Sequence, residues 1–214
     1  MNKVVGALRI LVGLSLLGSV VWQVSDRLAN NVFRPGEYFA YFSIDSALIG
    51  AVTLTVAGWW HFSGNRETTL LTLVRLSSAS YLAVTGLAYN LLLRDSAPLA
   101  ADIGYEWPVI PNEIIHVWGP ILIALDFLVT GTTHKLALKD AWKVLYFPLA
   151  WAAFSVIRGV ITGWWPYWFV DPTGPGGLPS MLGYTVGLMS VFLVIGFLLM
   201  VWQRMLVRLF SARR

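Results

Sequence analysis

Val186-Gly187-Leu188-Met189-Ser190-Val191-Phe192-Leu193-Val194-Ile195-Gly196-Phe197-Leu198-Leu199-Met200-Val201 carries no charge and almost no polar group. Its apolar character extends over about 182–207. A hydrocarbon core about 30 Å thick is crossed by roughly 20 helical residues rising about 1.5 Å each. Read the same way, segments at about 4–25, 38–61, 70–93, 113–133 and 143–163 also qualify. The fold class predicted is therefore all-α, a polytopic membrane bundle of six transmembrane helices in one domain, 1–214. Composition agrees: 57% of residues are hydrophobic and 12% charged, against about 25% charged in soluble domains. The third span is the least apolar, because Arg75, Ser77, Ser78 and Ser80 occupy its first half. That pattern suits a helix facing protein rather than lipid.

Charge sets the orientation. With a cytoplasmic N-terminus, the inner segments hold Lys3, Arg66, Lys135, Lys139, Lys143, Arg204, Arg208, Arg213 and Arg214, and the outer loops only Arg27, Arg34 and Arg94. The positive-inside rule then places both termini in the cytoplasm. Glu37, Asp95, Asp102, Glu106 and Asp171 fall in the outer loops. The run after Met1 contains Arg9 and lacks a small-residue cleavage site, so it reads as a retained first span. The net charge of +4 suits anionic head groups rather than nucleic acid. There are no cysteines, which excludes disulfides and thiolate chemistry. His61, His116 and His134 are too scattered for a metal site, and no Gly-rich phosphate loop follows a strand, so no cofactor is expected.

Ionisable residues inside spans are costly and mark functional candidates. Asp45 and Arg158 fall in the outer halves of two spans, and Asp126 and Arg75 lie deeper; each couple is an expected ion pair, with structural glue as the plainer role. Ser43 and His116 differ. Each lies about 5–10 Å below the outer boundary by helical rise, which puts a hydroxyl and an imidazole at one depth. That is the minimum for a base to activate a nucleophile. Asn112 and Glu113 share the His116 helix face, and either can fix its tautomer. Pro120 has no N–H, so the His116 carbonyl loses its helical partner. His61 and His134 read as interfacial. The aromatic run from Trp164 to Phe169 reads either as a head-group anchor or as a lid over a site.

Three segments in order, Tyr41-Phe42-Ser43-Ile44-Asp45-Ser46, then Asn112-Glu113-Ile114-Ile115-His116-Val117-Trp118-Gly119-Pro120, then Arg158-Gly159 through Thr162-Gly163-Trp164-Trp165-Pro166-Tyr167 with Asp171-Pro172, resemble the androgen-induced gene family of membrane proteins. The likeness covers most of the chain and is strongest to bacterial six-span members. The resemblance implies a lipid hydrolase cleaving fatty acid esters of hydroxy fatty acids by an intramembrane threonine and a histidine. Ser43 matches the threonine position and His116 the histidine. Serine keeps the hydroxyl and drops a methyl. The resemblance thus implies a catalytic Ser43–His116 pair and an acyl-enzyme; Asp45, Asn90, Asn112, Glu113, Arg158, Trp164 and Asp171 are the candidate supporting or substrate-binding residues. Arg158, Asn90 and tryptophan N–H groups are the candidate oxyanion donors. The expected partner is a membrane lipid or fatty-acyl ester, and the expected place is the periplasmic leaflet of a bacterial cytoplasmic membrane.

Two other classes compete. A small-solute transporter would use Arg9, Arg75 and Asp126 as its path. A non-catalytic lipid-binding or assembly protein would use the Gly183/Gly187 spacing for helix contact, including contact in a homo-oligomer. Transport predicts that Asp126→Asn abolishes flux while Ser43→Ala is silent; hydrolysis predicts that Ser43→Ala abolishes ester turnover. Parallel flux and hydrolysis assays on the two variants separate them.

Overall fold

In the computed structural model, residues 3–65, 67–96, 102–130 and 136–211 are described, with side chains to 207. Arg66, His134, Lys135, Arg213 and Arg214, used above for orientation or placed at an interface, lie outside the described residues. Among the described residues the regular structure is helical, with no strand. Six helices are long and apolar enough to cross a membrane: Lys3–Ala29, Phe42–Phe62, Thr69–Leu93, Val109–Val129, Leu138–Thr162 and Gly177–Val207. The chain is an integral membrane protein. Hydrocarbon offers no hydrogen-bond partner, so each crossing segment must satisfy its backbone internally, and a helix does that.

The boundaries differ from expectation in informative places. The second span starts at Phe42 because Pro35–Tyr38 forms its own short turn of helix. The fourth starts at Val109, just after Pro108, whose lack of an N–H suits a helix start. Six crossings put both termini on one side of the bundle; the opposite side is called the far side below.

The second and third spans are central and the sixth is the most peripheral. The first span packs along the second more extensively than any other pair of elements. Glycine permits this: a Cβ at Gly13 would lie 2.5 Å from Thr55 Oγ1 and 2.8 Å from the Ala51 carbonyl. As its polarity implied, the third span faces protein. Arg75 is 2% exposed, and Ser78 and Ser80 are fully buried. Two hydroxyl pairs, Thr53–Ser78 and Ser46–Thr85, each 2.9 Å, hold it in register with the second span. Leu8, Leu11, Val21, Trp59, Val160 and Ile161 point outward, where lipid is their natural solvent.

Two charge clusters fix the ends. On the termini side, Asp126 accepts from Arg9 Nε at 2.8 Å and from Arg75 Nη2 at 2.6 Å. Arg75 Nη1 also reaches Glu67 at 2.6 Å, and Arg9 Nη1 reaches it at 3.1 Å. The expected Arg75–Asp126 pair is present, but as half of a quartet in which two guanidiniums meet two carboxylates. Thr130 Oγ1 accepts from both arginines at 2.7 Å. On the far side, Arg27 and Arg34 both bind Asp102, and Arg34 also pairs with Glu37. The Arg27 guanidinium lies 4.5 Å from the Trp107 ring centroid. These contacts pin the loop after the third span onto the end of the first.

Removing one partner of a buried charge group leaves the others uncompensated, at about 3–5 kcal/mol. Arg75→Met is therefore expected to lower the thermal unfolding midpoint sharply in detergent micelles. A midpoint within a degree or two of wild type would contradict the structural role of the quartet.

Candidate functional site

Ser43 sits in the first turn of the second span, where backbone N–H groups have no intrahelical partner. Its N–H donates to the Tyr167 hydroxyl at 3.3 Å, and its side chain turns to the same phenol. Other buried serines behave differently. Ser19 and Ser80 donate back to carbonyls of their own helices, the usual habit of a serine in a membrane helix. Ser43 makes no such bond among the described residues. Ser46 Oγ donates to the Ser43 carbonyl at 3.1 Å and bonds to Thr85, which locks this turn against the third span.

His116 lies in a wide helical turn, Ile114–Trp118, in which the Gly119 N–H reaches the Ile114 carbonyl. Pro120 supplies the reason, since it cannot donate to the His116 carbonyl. Asn90 Nδ2 approaches that carbonyl at 3.5 Å while bonding the Gly86 carbonyl at 2.8 Å. Gly86 leaves room for the crossing: a Cβ there would lie 3.1 Å from Pro120 and 3.2 Å from the His116 carbonyl. The imidazole stacks on Tyr89, with centroids 4.2 Å apart and planes 22° apart. Tyr89 opens a second wide turn, Tyr89–Leu93, at the far end of the third span. Single wide turns of this type are frequent at functional sites.

The tautomer of His116 follows from its partner. Nδ1 lies 2.9 Å from the Asn112 carbonyl oxygen. A carbonyl only accepts, so Nδ1 carries the proton and Nε2 presents a lone pair. The Asn112 backbone thus performs the task expected of a side chain. The Asn112 amide instead donates to the Tyr89 hydroxyl at 2.7 Å, and Glu113 pairs with Arg94 at 3.0 Å, away from the imidazole.

Ser43 and His116, both 8% exposed, line the same two clefts. One is a narrow apolar chamber between the third, fifth and sixth spans, walled by Val84, Pro148, Trp151, Leu188, Met189 and Phe192. The other is a wider, more polar vestibule toward the far side, bordered by Gln23, Tyr41, Arg94, Trp107, Asn112 and Trp168. Ser43, Tyr89, Leu93, His116 and Tyr167 belong to both, so they form the partition.

Tyr167 is not among the site residues expected from the sequence; its signals there are its place within the Trp164–Phe169 aromatic run and in the third of the family-like segments. Burial pushes its phenol up to about 12, partly opposed by the hydrogen bonds from Ser43. The hydroxyl therefore stays protonated at neutral pH, as a donor beside Ser43.

Several expected supports are elsewhere. Asp45 and Arg158 form no ion pair among the described residues. Arg158 lies 4.3 Å over the Trp164 ring, bonds the Trp164 carbonyl at 3.5 Å and lines neither cleft. Trp164 packs edge-on against Tyr41. Asp171 accepts from the Thr173 N–H and hydroxyl, both 2.7 Å, and closes a turn. Asn90 is committed to backbone carbonyls and to Arg94; it braces His116 from behind. Among the described residues no group of three or more His, Asp or Glu side chains could hold a metal ion.

No family model matches the chain, and no curated protein or solved structure matches it either.

The fixed tautomer is open to direct measurement. Nitrogen-15 NMR of histidine-labelled protein is expected to show His116 protonated at Nδ1 and bare at Nε2 at neutral pH; the reverse tautomer would leave no lone pair for Ser43.

Proposed function

We propose that the protein is an intramembrane lipid ester hydrolase, with Ser43 as nucleophile and His116 as base. The observation that carries this reading is the partition: a hydroxyl, an imidazole with a bare Nε2 and a protonated phenol all line the junction of an apolar chamber and a polar vestibule. An acyl chain suits the chamber, and water suits the vestibule. The resemblance to the androgen-induced gene family rests on the same Ser43 and His116.

The chemistry divides among these groups. Ser43 Oγ attacks the ester carbonyl carbon while His116 Nε2 takes its proton. Tyr167 replaces Arg158, Asn90 and tryptophan as the donor to the developing oxyanion. Collapse of that intermediate breaks the bond to the alcohol oxygen, which receives the proton from His116. Water then attacks the Ser43 ester by the same route and releases the fatty acid. The N-terminal end of the second span, with its positive dipole end, adds to the stabilisation of charge at Ser43.

The charge count supports cytoplasmic termini, and with them a partition near the outer leaflet; the family resemblance favours the periplasmic leaflet of a bacterial cytoplasmic membrane. A transport path through Arg9, Arg75 and Asp126 is less well supported, because those groups are tied to one another and to Glu67 and Thr130, and the cleft beside Arg75 and Asp126 holds almost no free space.

Hydrolysis of fatty-acyl esters by the purified protein in micelles tests the reading. Ser43→Ala and His116→Gln are each expected to lower kcat by about 10²–10⁴, and Tyr167→Phe by about 10²–10³. The pH profile should show no fall near the ordinary phenol value of about 10, since the raised pKa keeps Tyr167 protonated there. Folded wild type without turnover, or Ser43→Ala with wild-type turnover, would overturn the proposal.

A further inference from the structure

The vestibule carries polar groups that nothing in the protein satisfies. Gln23, on the first span, is fully buried. Its Oε1 accepts from the Tyr38 hydroxyl at 2.9 Å, but its Nε2 has no partner. A buried amide donor left without a partner costs about 1–3 kcal/mol, so an unpaired one lining a cleft points to something that fills the cleft. Tyr41, in the same wall, has no hydrogen bond from its hydroxyl among the described residues. Burial holds that phenol well above its usual range, so it too remains a neutral donor. Tyr89 accepts from Asn112 and keeps its own proton to give.

The guanidinium that lines the vestibule is already matched. Arg94, the one cation in its wall among the described residues, pairs with Glu113 at 3.0 Å and donates Nε to Asn90 at 3.0 Å. Behind the wall, Arg27 and Arg34 share Asp102, and Arg34 also holds Glu37. The donors left free in its lining, among the described residues, are therefore an amide and two phenols, all uncharged.

We infer that the vestibule binds the alcohol half of the substrate, and that this half is neutral and hydroxyl-bearing, as in a fatty-acyl ester of glycerol, held by Gln23, Tyr41 and Tyr89. A hydroxyl donates and accepts, so it satisfies an amide and a phenol equally well. An alcohol half ending in a carboxylate would bring a charge into a space whose lining guanidinium, Arg94, is already paired with Glu113, and its desolvation would go uncompensated there. This inference rests on the hydrolase reading and narrows it: esters of neutral polyols are preferred over esters of hydroxy fatty acids.

Three esters of one fatty acid decide it with the full-length protein in micelles: the 1-monoacylglycerol, the methyl ester, and the ester of a hydroxy fatty acid bearing a free carboxylate. The expected kcat/KM for the monoacylglycerol exceeds that for the carboxylate ester by about tenfold or more, a factor set by one or two hydrogen bonds and an unpaired charge. Gln23→Leu is expected to lower the monoacylglycerol-to-methyl-ester ratio by about three- to tenfold, mainly through KM. Should Gln23→Leu fail to fold, Tyr41→Phe reads the same ratio. Equal or greater kcat/KM for the carboxylate ester, or an unchanged ratio in the folded variant, overturns the inference and leaves the hydrolase reading intact. No turnover of any of the three overturns both.

Discussion

The contact of Asp126 with Arg9 and Arg75 ties the first, third and fourth spans together at one depth. Charges in hydrocarbon are tolerated only in company, and each arginine here meets both Asp126 and Glu67. The geometry such an arrangement demands leaves little freedom to slide. His116 lies on the same span as Asp126, so holding one sets the height of the other. The second span is held in turn by the glycine-lined crossing at Gly13 and by the Thr53–Ser78 and Ser46–Thr85 pairs. Ser43, on that span, lines the same two clefts as His116. The site is thus positioned from a cluster nearly three helical turns away along the fourth span.

Lipid as solvent also explains the local form of the site. A backbone carbonyl freed by Pro120 cannot turn to water, so the helix widens over Ile114–Trp118 and Asn90 approaches from the third span. The widened turn leaves the Asn112 carbonyl facing His116 Nδ1. One proline therefore sets both the shape of the helix and the proton position on the imidazole. Tyr167 enters from the loop before the sixth span and meets the first turn of the second, where a free N–H was waiting.

Much of this was legible in the residues, and the remainder was not for identifiable reasons. Long uncharged runs announce the spans, because length and hydropathy alone decide whether a helix can cross. The burial of the third span followed from its polarity, and the Arg75–Asp126 pair from two charges at similar depth. Glu67 was missed because it lies between spans and reads as an ordinary loop acid; only the fold turns it inward. The Asp45–Arg158 pair failed because depth specifies height and not azimuth, and Arg158 faces Trp164 instead. Asn112 was named for its side chain, yet its backbone makes the contact. Tyr167 was hidden among aromatics that suit an interfacial anchor equally well, and its role depends on a loop path that periodicity does not encode.

The most direct test of the central claim is chemical. A long-chain alkyl fluorophosphonate, added to the folded protein and followed by peptide mapping with mass spectrometry, should leave one adduct, on Ser43, and replacing His116 by glutamine should slow its formation. An adduct on a different residue, or none on folded protein, would contradict the assignment of Ser43 as nucleophile.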